Sequence, residues 1–113
     1  MSKGVVVPPG GGKHLEEKSG QVMSMKLFGR ETGESVTLFE QAVPAGSKNS
    51  WLHLHRDSDE IAWVGNQPGR VVFLYTPAGA GRFVEGMLER PTEGDLKKRL
   101  DESGWEVLGL NPL

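Results

Sequence analysis

The sequence predicts a mainly β fold, a shortened barrel or sandwich followed by a pair of C-terminal helices. Three observations predict it. Glycine supplies 16 of the 113 residues, roughly twice its usual share, which favours many tight turns. Between Gln21 and Tyr75 the apolar residues come in short runs bounded by Gly, Pro and polar clusters, the pattern of strands. Beyond Thr76-Pro77 the apolar spacing becomes helical. The length suits one domain, with a β-rich body over 1–79 and a helical tail over 80–113.

Residues 1–20 carry one β-prone run, Val5-Val6-Val7, before a Pro/Gly segment that breaks any longer element. Val22 to Phe28 alternates loosely and stops at Gly29, which reads as a strand, and Arg30 to Glu34 reads as a turn. From Ser35 to Val43 alternation sets Val36, Leu38 and Glu40 on one face and Thr37, Phe39 and Gln41 on the other. Bulk on both faces marks a central strand. Pro44-Ala45-Gly46-Ser47 turns the chain into the strand of His53 and His55, and Ile61 to Val64 is the strand after it. Arg70 to Tyr75 is an almost continuous apolar run, expected where both faces are covered. Phe83, Val84, Met87 and Leu88 fall at helical spacing, so Gly81 to Glu89 reads as a helix stopped by Pro91. Thr92-Glu93-Gly94-Asp95 resembles a capping box for a second helix, with Leu96 and Leu100 on one face and Gly104 as its stop. Trp105, Val107 and Leu108 form an apolar tail expected to fold back onto the body.

Composition excludes several functions. Thirteen Lys and Arg against 15 Asp and Glu give a net charge of −2, so nothing draws the protein onto nucleic acid or an anionic membrane. Lys97-Lys98-Arg99 is a solvated helix face. Cysteine is absent, which rules out disulfides and thiolate ligands. The N-terminal apolar run is too short for a signal segment or a membrane span, so a soluble cytoplasmic protein is expected. Gly11-Gly12-Lys13-His14 is no phosphate loop, since His14 stands where Ser or Thr is needed and Val7 where the first glycine is needed.

The chemistry concentrates in Trp51-Leu52-His53-Leu54-His55-Arg56-Asp57-Ser58-Asp59-Glu60. Residues two apart on a strand share a face, so His53 and His55 converge on one point. A chain reversal through Arg56 to Asp59 brings Glu60 alongside. Two imidazoles and a carboxylate suit a divalent ion with open positions, whether iron, manganese, nickel or zinc.

The stretch from Pro44 through Val64, with Gly46, His53, His55 and Glu60, resembles the first conserved motif of the cupins. The resemblance extends to Pro8-Pro9-Gly10-Gly11-Gly12-Lys13, to Val43-Pro44-Ala45-Gly46, and to Leu74-Tyr75-Thr76-Pro77-Ala78-Gly79 with the helices after it. Together these are similar to small single-domain bacterial cupins of the conserved-barrel type. The resemblance implies a jelly-roll barrel with a metal held by His53, His55 and Glu60. The chain departs from the pattern after Val64, where Gly65-Asn66-Gln67-Pro68-Gly69-Arg70 leads directly into the final strand. The strands and histidine of the second cupin motif have no counterpart, and His14 lies where the family has no ligand.

The same residues have plainer readings. His53, His55 and Glu60 are also what a half-exposed polar strand carries, hydrogen-bonded to its neighbours. Trp51 shares the histidine face as a core or pocket-wall residue, and Leu52 and Leu54 face the other way into a core or dimer contact. Asp57 and Asp59 are exposed turn residues, or one of them orients a histidine. Three functions therefore stand side by side: a metal-dependent small-molecule enzyme of dioxygenase or isomerase type, a non-catalytic small-ligand-binding module, and a cupin remnant stable only as an oligomer. A shortened barrel leaves unpaired backbone along Ile61–Val64 and Val71–Tyr75, which predicts a homodimer that takes Leu52, Leu54 and Trp63 out of water. The competing expectation has Phe83, Met87, Leu96, Leu100 and Trp105 fold across the opening as an internal cap.

Overall fold

The computed structural model describes residues 4–16, 20–46, 52–64, 69–89 and 96–109. Among these residues seven strands and two α-helices follow one another as β1 (Lys13–Glu16), β2 (Val22–Leu27), β3 (Thr37–Ala42), β4 (Leu52–His55), β5 (Asp59–Val64), β6 (Arg70–Thr76), α1 (Gly81–Glu89), α2 (Leu96–Glu102) and β7 (Trp105–Gly109). The fold is mainly β. Five strands form one antiparallel sheet in the order β1-β2-β3-β6-β5, and β4 pairs with β7 in a second. The two sheets do not close into a barrel.

Alternation along the large sheet decides what is buried. Met25, Phe39, Phe73 and Ala62 lie in one cross-strand row, and Thr37, Tyr75 and Glu60 in the next. Met23, Met25, Phe39 and Tyr75 are buried there together with Val84 and Leu88 of α1. The Phe39 and Phe73 rings stack with centroids 5.1 Å apart. The central position expected for the Ser35–Val43 run is the one β3 occupies, between β2 and β6.

Helix α1 spans the residues its spacing predicts, and it lies against β3 because Gly81 has no side chain. A Cβ there would come within 2.2 Å of Thr37 Oγ1, nearer than atoms can approach. Thr37 is completely buried, and Glu85 Oε1 accepts the Gly29 N–H at 2.6 Å, tying α1 to the loop before β3. Helix α2 touches the body through its second turn, so Leu100 is buried while Leu96, one turn earlier, stays exposed. Its expected capping box, Thr92 to Asp95, lies outside the described residues. Gly104 ends the helix at φ +78°, in the left-handed region that glycine enters without strain.

Three expectations are corrected, and one is given its form. Val5–Val7 forms no strand, whereas Lys13–Glu16 does, because pairing with β2 outweighs a weak local preference. The apolar tail folds back onto the body as expected, and it does so as strand β7, since β4 supplies it with backbone partners. Asp59 begins β5 and is not a turn residue. The stretch Val71–Tyr75 is not an open edge, since β3 pairs with one side of β6 and β5 with the other. Of these two strands only β5 lies at an edge of the large sheet, the opposite edge being β1.

Candidate functional site

The site forms where the small sheet meets the core face of the large one. Pairing sets His55 across from Trp105 and His53 across from Val107. As alternation requires, both histidines reach the same side, with ring centroids 5.0 Å apart in an edge-to-face arrangement. The Trp105 indole lies flat on His53 at 4.4 Å and edge-on to His55 at 4.5 Å. Its Nε1–H donates to the Ala80 carbonyl at 2.9 Å, and Phe83 packs on its far side, ring centroids 5.0 Å apart. Phe83 and Trp105 thus bring the tail onto this side of the open barrel within one chain.

The turn between β4 and β5 is anchored at both ends. Arg56 N–H donates to Gly104 O at 2.8 Å, and the Arg56 guanidinium reaches Asp101 Oδ1 at 3.1 Å. Ser58 Oγ donates to Pro77 O at 2.7 Å and accepts Ala80 N–H at 3.1 Å. The reversal brings Glu60 beside His55, with Oε1 3.8 Å from Nε2. That is too long for a hydrogen bond and short enough for strong electrostatic contact. From β6, Tyr75 stands directly across from Glu60 and meets the His55 ring edge at 4.7 Å.

Charge follows from this packing. The neighbouring His55 imidazole, first of all, holds the Glu60 carboxyl below the ordinary glutamate range; partial burial opposes this, and the Tyr75 hydroxyl and His53 add to the lowering. Burial, reinforced by the Glu60 charge, pushes the Tyr75 phenol well above its usual value. At neutral pH an ionised carboxylate therefore faces a protonated phenol. His55 has only 6% of its side chain exposed, and neither ring nitrogen has a hydrogen-bond partner among the described residues. A buried polar atom left unsatisfied costs about 1–3 kcal/mol, and both ring nitrogens of His55 are left so by the described residues.

The donor types suit a divalent ion. Two donors sharing a tetrahedral ion at ~2.1 Å each stand roughly 3.4 Å apart, so the 3.8 Å between His55 Nε2 and Glu60 Oε1 needs only a small inward shift. His53 is held differently, flat against Trp105. Among the described residues no three His, Asp or Glu side chains are gathered as an ion-holding set. His53, His55 and Glu60 are thus neighbours at one end of the open barrel, with His55 and Glu60 the close pair.

Tyr75 and Trp105 belong to this site although their sequence positions give no hint of it. Tyr75 is visible beforehand only as the last apolar residue of its run, and Trp105 only as part of an apolar tail. Trp51 lies outside the described residues. Asp57 is exposed, as its turn position implies. His14 is accounted for structurally, its Nδ1 lying 2.6 Å from Ser24 Oγ and its Nε2 3.0 Å from Gly10 O.

A groove of about 810 Å³ lies on the opposite, outer face of the large sheet, with Val7, Val22, Leu38 and Val72 among its walls. Its cations are already engaged: Lys26 donates to Gly11 O at 2.7 Å and Arg70 to Glu40 Oε1 at 2.7 Å. In the histidine site, by contrast, the two ring nitrogens of His55 have no hydrogen-bond partner among the described residues. No helix among the described residues is long and apolar enough to cross a membrane. Comparison with models of protein families, with curated proteins and with solved structures finds no match.

Proposed function

We propose that this chain is a cupin-like cytoplasmic protein that takes a divalent ion, iron, manganese, nickel or zinc, on His53, His55 and Glu60, with open positions left for a small-molecule ligand. The observation that carries this reading is His55, whose two buried nitrogens have no hydrogen-bond partner among the described residues and which lies beside an ionised carboxylate. A bound ion of this kind supplies Lewis-acid or redox chemistry to a small molecule, the basis of a dioxygenase or isomerase type of activity. Tyr75 and Trp105 wall the cup, one offering a phenol proton and the other an aromatic face.

Metal analysis tests it. Incubated with each ion in turn and then desalted, the protein is expected to retain about one ion per chain, and His55→Ala and Glu60→Gln to retain far less. No retention of any of the four ions overturns the reading.

The second reading is a non-catalytic module that binds a small ligand in the same cup without a metal. What favours it is that among the described residues His53, His55 and Glu60 are not gathered as an ion-holding set. A metal-free protein whose Trp105 fluorescence responds to small aromatic or carboxylate ligands is its expected signature.

A further inference from the structure

The outer face of the large sheet carries a serine and a histidine in direct contact. Pairing of β1 with β2 sets His14 across from Ser24, and His14 Nδ1 lies 2.6 Å from Ser24 Oγ. The other ring nitrogen, Nε2, lies 3.0 Å from the Gly10 carbonyl oxygen. A carbonyl only accepts, so in the neutral imidazole Nε2 carries the ring hydrogen and Nδ1 is a bare lone pair that accepts from the Ser24 hydroxyl. A hydroxyl held by a base, with the base held in turn by a third group, is the arrangement of an activated nucleophile.

Local sequence fixes the third group. Pro8-Pro9-Gly10-Gly11 is a turn closed by the Gly11 N–H, which donates to Pro8 O at 2.8 Å. Proline stands second and Gly10 third, at φ +76°, as a type II turn requires. Gly12 follows so close to β2 that a Cβ on it would collide with the Met25 carbonyl oxygen. The turn is thus pressed onto the strand pair with its Gly10 carbonyl against His14. Lys26 Nζ donates to the next carbonyl, Gly11 O, at 2.7 Å, a bond that uses one of the three ammonium hydrogens.

Ser24, His14 and Lys26 all line the groove of about 810 Å³, a volume suited to a small molecule. Ser24 is buried at its base and His14 is exposed at its rim. Val22, Leu38 and Val72 give the groove an apolar floor, and Val7 and Pro8 an apolar wall. Glu40, the neighbour of Ser24 on β3, is bound by Arg70 at 2.7 Å, which offsets its negative charge beside the serine.

We propose that Ser24 and His14 are the nucleophile and base of a hydrolytic site, separate from the histidine cup, that cleaves esters of apolar carboxylic acids in this groove. Ser24 Oγ bonds to the ester carbonyl carbon as its proton passes to His14 Nδ1, and the carbonyl electron pair moves onto oxygen beside the Lys26 ammonium. Collapse restores the carbonyl and breaks the bond to the alcohol oxygen, which leaves with the proton from Nδ1. Water then attacks the acyl-serine and gives a proton to Nδ1. The second collapse returns that proton to Ser24 Oγ and frees the acid.

A fluorophosphonate, which reacts irreversibly with activated serine hydroxyls, tests this on the wild-type chain. Peptide mass mapping is expected to find about one adduct per chain, on Ser24. The same protein, kept in a metal chelator, is expected to hydrolyse p-nitrophenyl butyrate. Ser24→Ala should abolish both readouts, and His14→Gln should slow both by about a hundredfold or more, the usual worth of a general base. An unlabelled Ser24 overturns the proposal. So does turnover that survives Ser24→Ala, or labelling as fast in His14→Gln as in wild type. The chelator keeps any ion in the cup out of the measurement, so this site and the metal reading fail or stand separately.

Discussion

Tyr75 and Glu60 are direct cross-strand partners, one on β6 and one on β5, and each shifts the other's ionisation: the carboxylate helps to keep the phenol protonated, and the phenol helps to keep the carboxyl ionised. His55 acts on the same carboxyl more strongly than Tyr75 does.

That ordering is measurable. Followed by carbon NMR, the Glu60 titration is expected below the ordinary value of 4.5. It should move up on Tyr75→Phe and further on His55→Ala. Because the folded-state value is lowered, the stability this group contributes is present above the unfolded value and is lost as pH falls through the folded one. The melting temperature of Glu60→Gln should therefore lie below wild type at neutral pH and converge with it in acid. Equal shifts from the two single variants contradict the ordering.

Glu85 carries the opposite sign. Burial, ahead of the Gly29 N–H and Thr37 contacts that oppose it, raises its carboxyl above the ordinary range, and Glu34 adds to the rise. Stability associated with this group is fully present below the unfolded value and is lost as pH climbs through the folded one. Glu85→Gln keeps an oxygen for the Gly29 N–H and removes the buried charge, so thermal melts should show it more stable than wild type at pH 7 and indistinguishable near pH 3. A variant destabilised at pH 7 refutes this assignment.

Gly81 tests the approach of α1 to β3. An alanine methyl would meet Thr37 at 2.2 Å, and relief requires the helix to lift from the sheet. Urea unfolding of Gly81→Ala should show a loss of about 1–3 kcal/mol, the usual cost of forcing extra volume into a packed contact. Were the position an ordinary exposed helical one, alanine would instead add roughly 1 kcal/mol.

Much of the large sheet is legible in the sequence because its cues are local. Alternation in Thr37-Leu38-Phe39-Glu40-Gln41 assigns the two faces of β3, and the spacing of Phe83, Val84, Met87 and Leu88 places α1 where it is found. Strand β1 is not legible, since Lys13-His14-Leu15-Glu16 has one apolar residue and owes its conformation to β2. The candidate site divides in the same way. His53, His55 and Glu60 are adjacent in sequence and announce themselves, whereas Tyr75 and Trp105 reach them only through the registers Glu60↔Tyr75 and His55↔Trp105, which no local pattern encodes. The flat contact of Trp105 on His53 is likewise a product of chain packing.

The pairing of β4 with β7 also orders events during synthesis. Strands β1, β2, β3, β5 and β6 can assemble once residue 76 has emerged, but the histidine strand has no described backbone partner until the chain beyond Trp105 follows. His53 and His55 therefore wait in the nascent protein beside a finished sheet, open to water and to any passing ion, and are enclosed only when the last strand arrives.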